Sequence, residues 1–141
     1  MESTAGFALE KSADKVSANP RDFLEKTGIL YPFSIKQIQA GRNSKVYQIE
    51  KNGFKWVLKE YYQQDLDPRN RLKTECDFLS FLNTNGIERV AKAIASDSDH
   101  NWGLYSYLAG KKPTKVNSEY VRQACEFIKK INVHHNHPAA K

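Results

Sequence analysis

An Asn-Gly pair between two alternating runs constrains the fold of this chain more than any other sequence feature. Apolar and polar residues alternate in residues 46–50 and again in residues 54–60, and Asn52-Gly53 lies in the turn between them. Asn and Gly most readily adopt the positive φ angles of a tight two-residue hairpin turn. The pattern therefore predicts two antiparallel strands. Ile35 and Ile38 indicate a further strand before them, which gives a three-stranded meander.

Capping residues, apolar residues at helical spacing and glycines at helix ends predict the remaining elements. Asp67-Pro68 predicts the start of a helix that carries Leu72, Cys76 and Leu79 at helical spacing, and Gly86 predicts its end. Three strands, a helix, two strands and a helix give an α+β fold with a five-stranded antiparallel sheet. The other predicted elements are a helix from Asn19-Pro20 to Gly28, strands over 90–95 and 102–108, and a last helix that begins at Asn117 or Ser118, with Val121, Ala124, Cys125, Ile128 and Ile131 on a buried face.

Composition limits the classes of protein and partner. The chain has 141 residues, of which 40% are apolar, enough for one modest core. No apolar run approaches the roughly 20 residues of a membrane span. The first 18 residues predict a loose polar leader without a secretory signal, and Cys76 and Cys125 are too few for a disulfide framework, so we expect a cytoplasmic protein. The net charge of +6 is spread along the chain, which suits phosphorylated small molecules and disfavours nucleic acid.

Three polar features are candidates for chemistry on this scaffold. The turn Gly41-Arg42-Asn43-Ser44 can lay backbone N–H groups over phosphates, although these residues taken alone favour a plain hairpin turn. Lys59 ends an apolar strand, where its ammonium either binds an anion or extends into solvent. Glu75 lies sixteen residues later on an apolar helix face, either exposed or turned toward a cation. A Lys59–Glu75 pair would hold the ammonium for phosphate groups, as in protein kinases.

Four segments together resemble the aminoglycoside phosphotransferase and choline kinase family, which has a protein-kinase-like fold. They are similar to that family's glycine turn over the phosphates, its strand with the phosphate-binding lysine, its helix with the paired glutamate, and its hinge. The resemblance spans about residues 33–135. The four segments are Gly41-Arg42-Asn43-Ser44-Lys45-Val46-Tyr47, Val57-Leu58-Lys59, Glu75-Cys76-Asp77-Phe78-Leu79-Ser80-Phe81-Leu82 and Leu104-Tyr105-Ser106-Tyr107-Leu108-Ala109-Gly110.

The resemblance implies a kinase-like small lobe that binds ATP or GTP with magnesium. The phosphates are expected under the glycine turn and against the lysine, the base under an apolar ceiling, and the base edge against the hinge backbone. The implied residues are Gly41, Asn43 and Ser44 over the phosphates, Lys59 held by Glu75, Val46 and Val57 above the base, Tyr105 at the back, and the Ser106 carbonyl and Leu108 N–H at the hinge.

In the same family a larger lobe supplies a His-Gly-Asp catalytic segment and the magnesium ligands, and no such sequence follows Gly110 in this chain. We therefore expect a leader with a short helix (1–32), a small lobe with its hinge (33–110) and the start of a truncated large lobe (111–141). The parent protein is expected to transfer a γ-phosphate to a hydroxyl group of a small molecule. This chain alone is expected to contain no catalytic residue, no magnesium ligand and no acceptor site, and to be inactive.

Other interpretations remain open at this point. A non-catalytic kinase-like module would use the apolar surface around Leu108 and the last helix for protein binding or dimerisation. A basic RNA-binding domain is the third reading. His134, His135 and His137 are candidate metal ligands, but no cysteine or carboxylate lies at a matching distance in the sequence, so a frayed helix end is favoured. The sequence distinguishes neither ATP from GTP nor one acceptor from another.

Overall fold

The computed structural model describes residues 19–140, so the predicted leader over residues 1–18 lies outside the described part. The chain divides into two compact units, residues 1–33 and 34–141. In the first unit, helix α1 spans Arg21–Lys26 and buries Phe23 and Leu24. The Asn19 side chain accepts a hydrogen bond from the Arg21 N–H at 3.0 Å, so the helix predicted from Asn19-Pro20 is present and begins one residue late.

The second unit is built on a five-stranded antiparallel sheet, in the spatial order β1-β2-β3-β5-β4. Asn52 and Gly53 have φ angles of 51° and 80°, which confirms the predicted hairpin turn between β2 and β3. The α+β class and the five-stranded antiparallel sheet are also confirmed. The strands are β1 Ser34–Ala40, β2 Ser44–Lys51, β3 Phe54–Tyr61, β4 Ala93–Asp97 and β5 Trp102–Ser106.

Helix α2 spans Arg71–Thr84, so its predicted start at Asp67-Pro68 is wrong. Asn70 is the N-cap, and its side chain accepts a hydrogen bond from the Lys73 N–H at 2.9 Å. Asp67 is not available as a cap because its carboxylate binds the guanidinium groups of Arg69 and Arg71, at 2.7 and 2.5 Å. A competing pair of charged side chains thus moves the start of the helix by one turn.

Both later strands differ in their limits from the prediction. β4 begins three residues late and extends to Asp97, while β5 ends at Ser106, two residues before Leu108. The turn between them fixes this register, because the Asp97 carboxylate accepts hydrogen bonds from the N–H groups of Asp99 and His100 at 2.9 and 3.2 Å. The strand pair is therefore aligned by its turn residues rather than by its apolar pattern.

Helix α3 spans Ser118–Asn132 and begins, as predicted, at Asn117, whose side chain accepts a hydrogen bond from the Tyr120 N–H at 2.9 Å. The prediction of a buried face is wrong, because none of its residues is buried and Cys125 is exposed. A short 3₁₀ turn, Pro138–Ala140, follows it. Within residues 19–140, no helix has the length and apolar content to cross a membrane.

The register of the sheet determines which side chains face helix α2. Residues directly opposite each other in an antiparallel pair share a face. Tyr61 and Tyr105 lie on one such face and form a buried cluster with Leu72 of α2. The opposite face carries Leu58 and Leu104, which are also buried. The α2 side of the sheet is the side on which the candidate site lies.

Candidate functional site

The candidate site is a row of side chains across β2, β3 and β5, on the face that helix α2 covers. Val46 lies directly opposite Lys59, which in turn lies opposite Gly103. Val57, two residues before Lys59 on the same face, lies opposite Tyr105. The structure thus brings the two predicted ceiling valines beside the predicted phosphate-binding lysine.

Lys59 and Glu75 form an ion pair between β3 and α2, with Lys59 Nζ 2.5 Å from Glu75 Oε1. Their side chains remain 28% and 31% exposed, so the pair lies at the rim of the buried cluster rather than within it. Lys59 Nζ also lies 5.4 Å from the centroid of the Tyr105 ring, within the range of a cation–π interaction. The ammonium is therefore held from two sides and keeps a solvent-accessible part.

The second oxygen of Glu75 is bound by a residue to which we assigned no functional role. The Tyr61 hydroxyl donates a hydrogen bond to Glu75 Oε2 and lies 2.7 Å from the Tyr105 hydroxyl, which in turn lies 3.5 Å from Cys76 Sγ. Tyr61 itself is buried. The alternation of side chains along β3 indicates that residues 59 and 61 share a face, which is the sequence feature that points to a position of Tyr61 near the Lys59–Glu75 pair.

Burial controls the protonation of both tyrosines. It raises the pKa of Tyr61, and the hydrogen bonds with Glu75 and Tyr105 raise it further. Burial and the hydrogen bond with Cys76 likewise raise the pKa of Tyr105. Both phenols are therefore neutral at physiological pH and remain hydrogen-bond donors.

The turn between β1 and β2 carries the predicted phosphate-covering residues. Its ends are closed by a hydrogen bond from the Gly41 N–H to the Ser44 carbonyl at 3.0 Å, and the Asn43 carbonyl accepts one from the Tyr62 N–H at 3.0 Å. Gly41 is outside the positive-φ region, so the turn does not use the positive φ that glycine permits. The lack of a side chain at this position still leaves the backbone open to close approach.

The predicted hinge follows β5. Tyr105 and Ser106 belong to the strand. The Ser106 N–H donates to the Lys92 carbonyl at 2.9 Å, and the Ser106 Oγ accepts from the Lys92 N–H at 2.8 Å. Leu108 lies beyond the strand and is exposed. Nearby, Lys55 Nζ lies 5.4 Å from the centroid of the Tyr107 ring, so the hinge also contacts β3.

The C-terminal histidines lie apart from this row of residues. The rings of His134 and His137 contact the Phe81 ring edge-on, with centroid separations of 6.2 and 5.3 Å. Among the residues that the structure describes, no group of three or more histidine, cysteine or acidic side chains is placed to hold a metal ion.

Residues 34–140 match the model of one protein family, described as the phosphotransferase enzyme family. The match covers all five strands and both helices of the second unit. No curated protein matches the chain.

Proposed function

The chain belongs to the phosphotransferase enzyme family, and we propose that its residues 34–110 are a nucleotide-binding lobe for ATP or GTP. The observation that carries the proposal is the partly exposed Lys59–Glu75 ion pair beside an apolar surface. An ammonium that is held by a carboxylate and still reaches solvent is suited to bind phosphate oxygens. A tightly buried or fully solvated pair would not combine these two properties.

The order of features along the sheet supports an extended ligand. The hinge lies next to Trp56 and Ser106, which are directly opposite each other in the sheet. The glycine turn lies next to Ser44 and Tyr61, which are also opposite each other. Trp56 and Tyr61 are five residues apart along β3, which corresponds to about 17 Å at 3.3–3.4 Å per residue. Along this line an apolar surface precedes a cation and a backbone turn. A nucleoside triphosphate has the same sequence of properties, from its base to its phosphates.

The proposed assignments follow that line. The base lies near the hinge, with the Ser106 carbonyl and the Leu108 N–H at its edge and Tyr105 behind it. Val46 and Val57 contact one face of the base, and Lys59, held by Glu75, binds the phosphates. Asn43 and Ser44 cover the phosphates with backbone N–H groups and the Ser44 hydroxyl. Gly41, whose own N–H binds the Ser44 carbonyl, leaves room for the phosphates to approach the turn. In a complete family protein, this nucleotide would donate its γ-phosphate to a hydroxyl group of a small molecule.

We also propose that these 141 residues bind nucleotide without transferring phosphate. Phosphoryl transfer uses metal ions that bridge the phosphates and a residue that orients the acceptor. The sequence contains neither a His-Gly-Asp nor an Asp-Phe-Gly segment that would supply these groups. Magnesium would arrive with the nucleotide, bound to its phosphate oxygens.

Backbone amide shifts in the ¹⁵N-labelled chain test the nucleotide site directly. We expect Mg·ATP or Mg·GTP to shift the amides of residues 41–47, 57–59 and 104–108. Adenosine should shift the amides of residues 46, 57 and 104–108 and leave residues 41–44 unchanged, whereas inorganic triphosphate should shift residues 41–44 and leave residues 104–108 unchanged. Shifts confined to helix α3, or no shifts at millimolar nucleotide, would refute the proposal.

A second candidate function rests on helix α3. Val121 and Ile128 lie on one side of this helix and are 52% and 55% exposed, although the sequence pattern is that of a helix with a buried face. Exposed apolar surface of this kind favours contact with another protein, including a second copy of the chain. Light scattering over a range of protein concentrations would detect self-association, and a constant monomer mass would remove the second copy as the partner.

A further inference from the structure

We propose that Tyr61 and Tyr105 are positioning residues: Tyr105 holds the Tyr61 hydroxyl, and Tyr61 holds the Glu75 carboxylate in the orientation that pairs with Lys59. The effect of this arrangement on nucleotide affinity rests on the proposed function, but its effect on the ion pair does not. None of the four segments that resemble known phosphotransferases assigns a role to Tyr61, since its position follows the lysine strand segment.

The hydrogen bonds among these groups run in one direction. A phenol has one proton to donate, and that of Tyr61 goes to Glu75 Oε2. Tyr105 must therefore donate to Tyr61 across their 2.7 Å contact, and the Cys76 thiol donates to Tyr105 across 3.5 Å. The series ends at a carboxylate that also accepts from Lys59. Hydrogen bonds aligned in this way polarise and strengthen one another in a low-dielectric environment.

Each oxygen of the Glu75 carboxylate has one partner. Lys59 binds Oε1, and Tyr61 binds Oε2. Within residues 19–140, no third side chain donates to this carboxylate, so removal of the Tyr61 hydroxyl leaves Oε2 without a side-chain donor from this part of the chain. The carboxylate would then be free to rotate about its side-chain torsions. The ion pair between Glu75 and Lys59 would then no longer have a fixed geometry.

Gly103 fixes the other end of the series. A Cβ atom at this position would lie 2.7 Å from Tyr105 Cε2 and 2.8 Å from Cζ, so only glycine allows the ring to lie flat across the strand. Gly103 is also the residue opposite Lys59. The missing side chain thus gives the Tyr105 ring its place beside the Lys59 ammonium and puts its hydroxyl within reach of Tyr61.

The mobility of the Lys59 ammonium tests the proposal without any ligand. We expect ¹⁵N relaxation to show an ordered ammonium in the wild-type chain and a clearly more mobile one in Tyr61→Phe. Tyr62→Phe is the matched control, because it removes the next hydroxyl along the chain and keeps the ring near Lys45. An ammonium as ordered in Tyr61→Phe as in the wild type would overturn the proposal.

Nucleotide affinities give the second readout. We expect Tyr61→Phe to weaken Mg·ATP binding about tenfold, the effect of losing a hydrogen bond to a charged group, while adenosine affinity stays within about twofold of the wild type. A merely structural role would weaken both ligands together and would contradict the proposal. Should Tyr61→Phe fail to fold, the mobility of the Lys59 ammonium is measured in Tyr105→Phe, which removes the donor to the Tyr61 hydroxyl. A smaller gain in mobility is expected there, and no gain would overturn the proposal. If the ammonium responds as expected but the wild type binds no ATP, the proposed function fails and the positioning of Glu75 stands.

Discussion

Replacement of Gly103 by alanine would place a methyl group against the ring of Tyr105. The new Cβ would lie 2.7 Å from Cε2 and 2.8 Å from Cζ, and closer still to the hydroxyl oxygen. Nonbonded carbon atoms prefer separations of about 3.5–4.0 Å. The ring must therefore move by about 1 Å. Tyr105 is only 2% exposed, so it has little free space into which to move.

The expected cost combines three effects. Overpacking a core costs about 1–3 kcal/mol. A shift of about 1 Å also stretches the 2.7 Å contact between Tyr105 and Tyr61 beyond hydrogen-bond range, which costs roughly 0.5–1.5 kcal/mol. Gly103→Ala recovers about 0.4–1 kcal/mol through the lower entropy of the unfolded chain. We therefore expect the free energy of unfolding to fall by about 2 kcal/mol.

Urea denaturation followed by tryptophan fluorescence measures this change. Gly110→Ala is the matched control, because a Cβ at that position meets no atom within 4 Å and its φ is outside the positive region. We expect the control to unfold within about 0.5 kcal/mol of the wild type, as most surface substitutions do. An equally small change for Gly103→Ala would refute the packing argument.

Two further predictions concern the turns of the second unit. Gly53→Ala should lower the free energy of unfolding by about 1–2 kcal/mol, because residue 53 has a φ of 80° that alanine adopts only with strain; urea denaturation beside Gly110→Ala measures it. Hydrogen bonds from Arg69 and then Arg71 lower the pKa of Asp67. The ionised Asp67 carboxylate therefore contributes fully to the free energy of unfolding above the ordinary carboxyl pKa of about 3.9, and this contribution is lost as the pH falls below that value. Asp67→Asn should reduce the loss of stability between about pH 6 and pH 3, and an unchanged loss would contradict this assignment.

The hairpin at the centre of the sheet could be predicted from the sequence because its signal is local. Asn52-Gly53 determines the turn by backbone conformation alone, and alternation in the flanking runs determines the strands. Strand β1 was harder to predict from the sequence. Ile35 and Ile38 are three residues apart, so in a regular strand they would lie on opposite faces. The structure explains this spacing by an irregularity between Gln37 and Gln39, which leaves Ile38 without an opposite residue.

Errors arose where a side chain had a choice of partner. Asp67-Pro68 has the sequence of a helix start, yet the aspartate binds arginines nearby and Asn70 takes the capping role. Helix α3 carries the pattern of a buried face, and none of its residues is buried in the structure. A one-dimensional pattern identifies which side chains are suited to a contact but not which contact is made.

Part of the candidate site could likewise be predicted from the sequence, and part of it could not. The Lys59–Glu75 pair could be suggested from its sixteen-residue separation and from the family resemblance, and the ion pair is present. Alternation along β3 places Tyr61 on the face of Lys59, but its contact with Glu75 also depends on the distance between a strand end and a helix face, which the sequence does not give. Gly103 gave no signal at all, since its importance comes from the ring that lies over it.

Calorimetric titration of the chain with Mg·ATP, for the wild type, Lys59→Ala and Lys73→Ala, tests the central claim most directly. Lys73 is the matched control, because it lies on α2 two residues from Glu75 and pairs with Asp77 instead. We predict measurable binding by the wild type and by Lys73→Ala, and a loss of at least about tenfold in Lys59→Ala, which removes a charged phosphate contact. Equal affinity in all three proteins, or no binding by the wild type, would contradict the assignment of Lys59 to the phosphates.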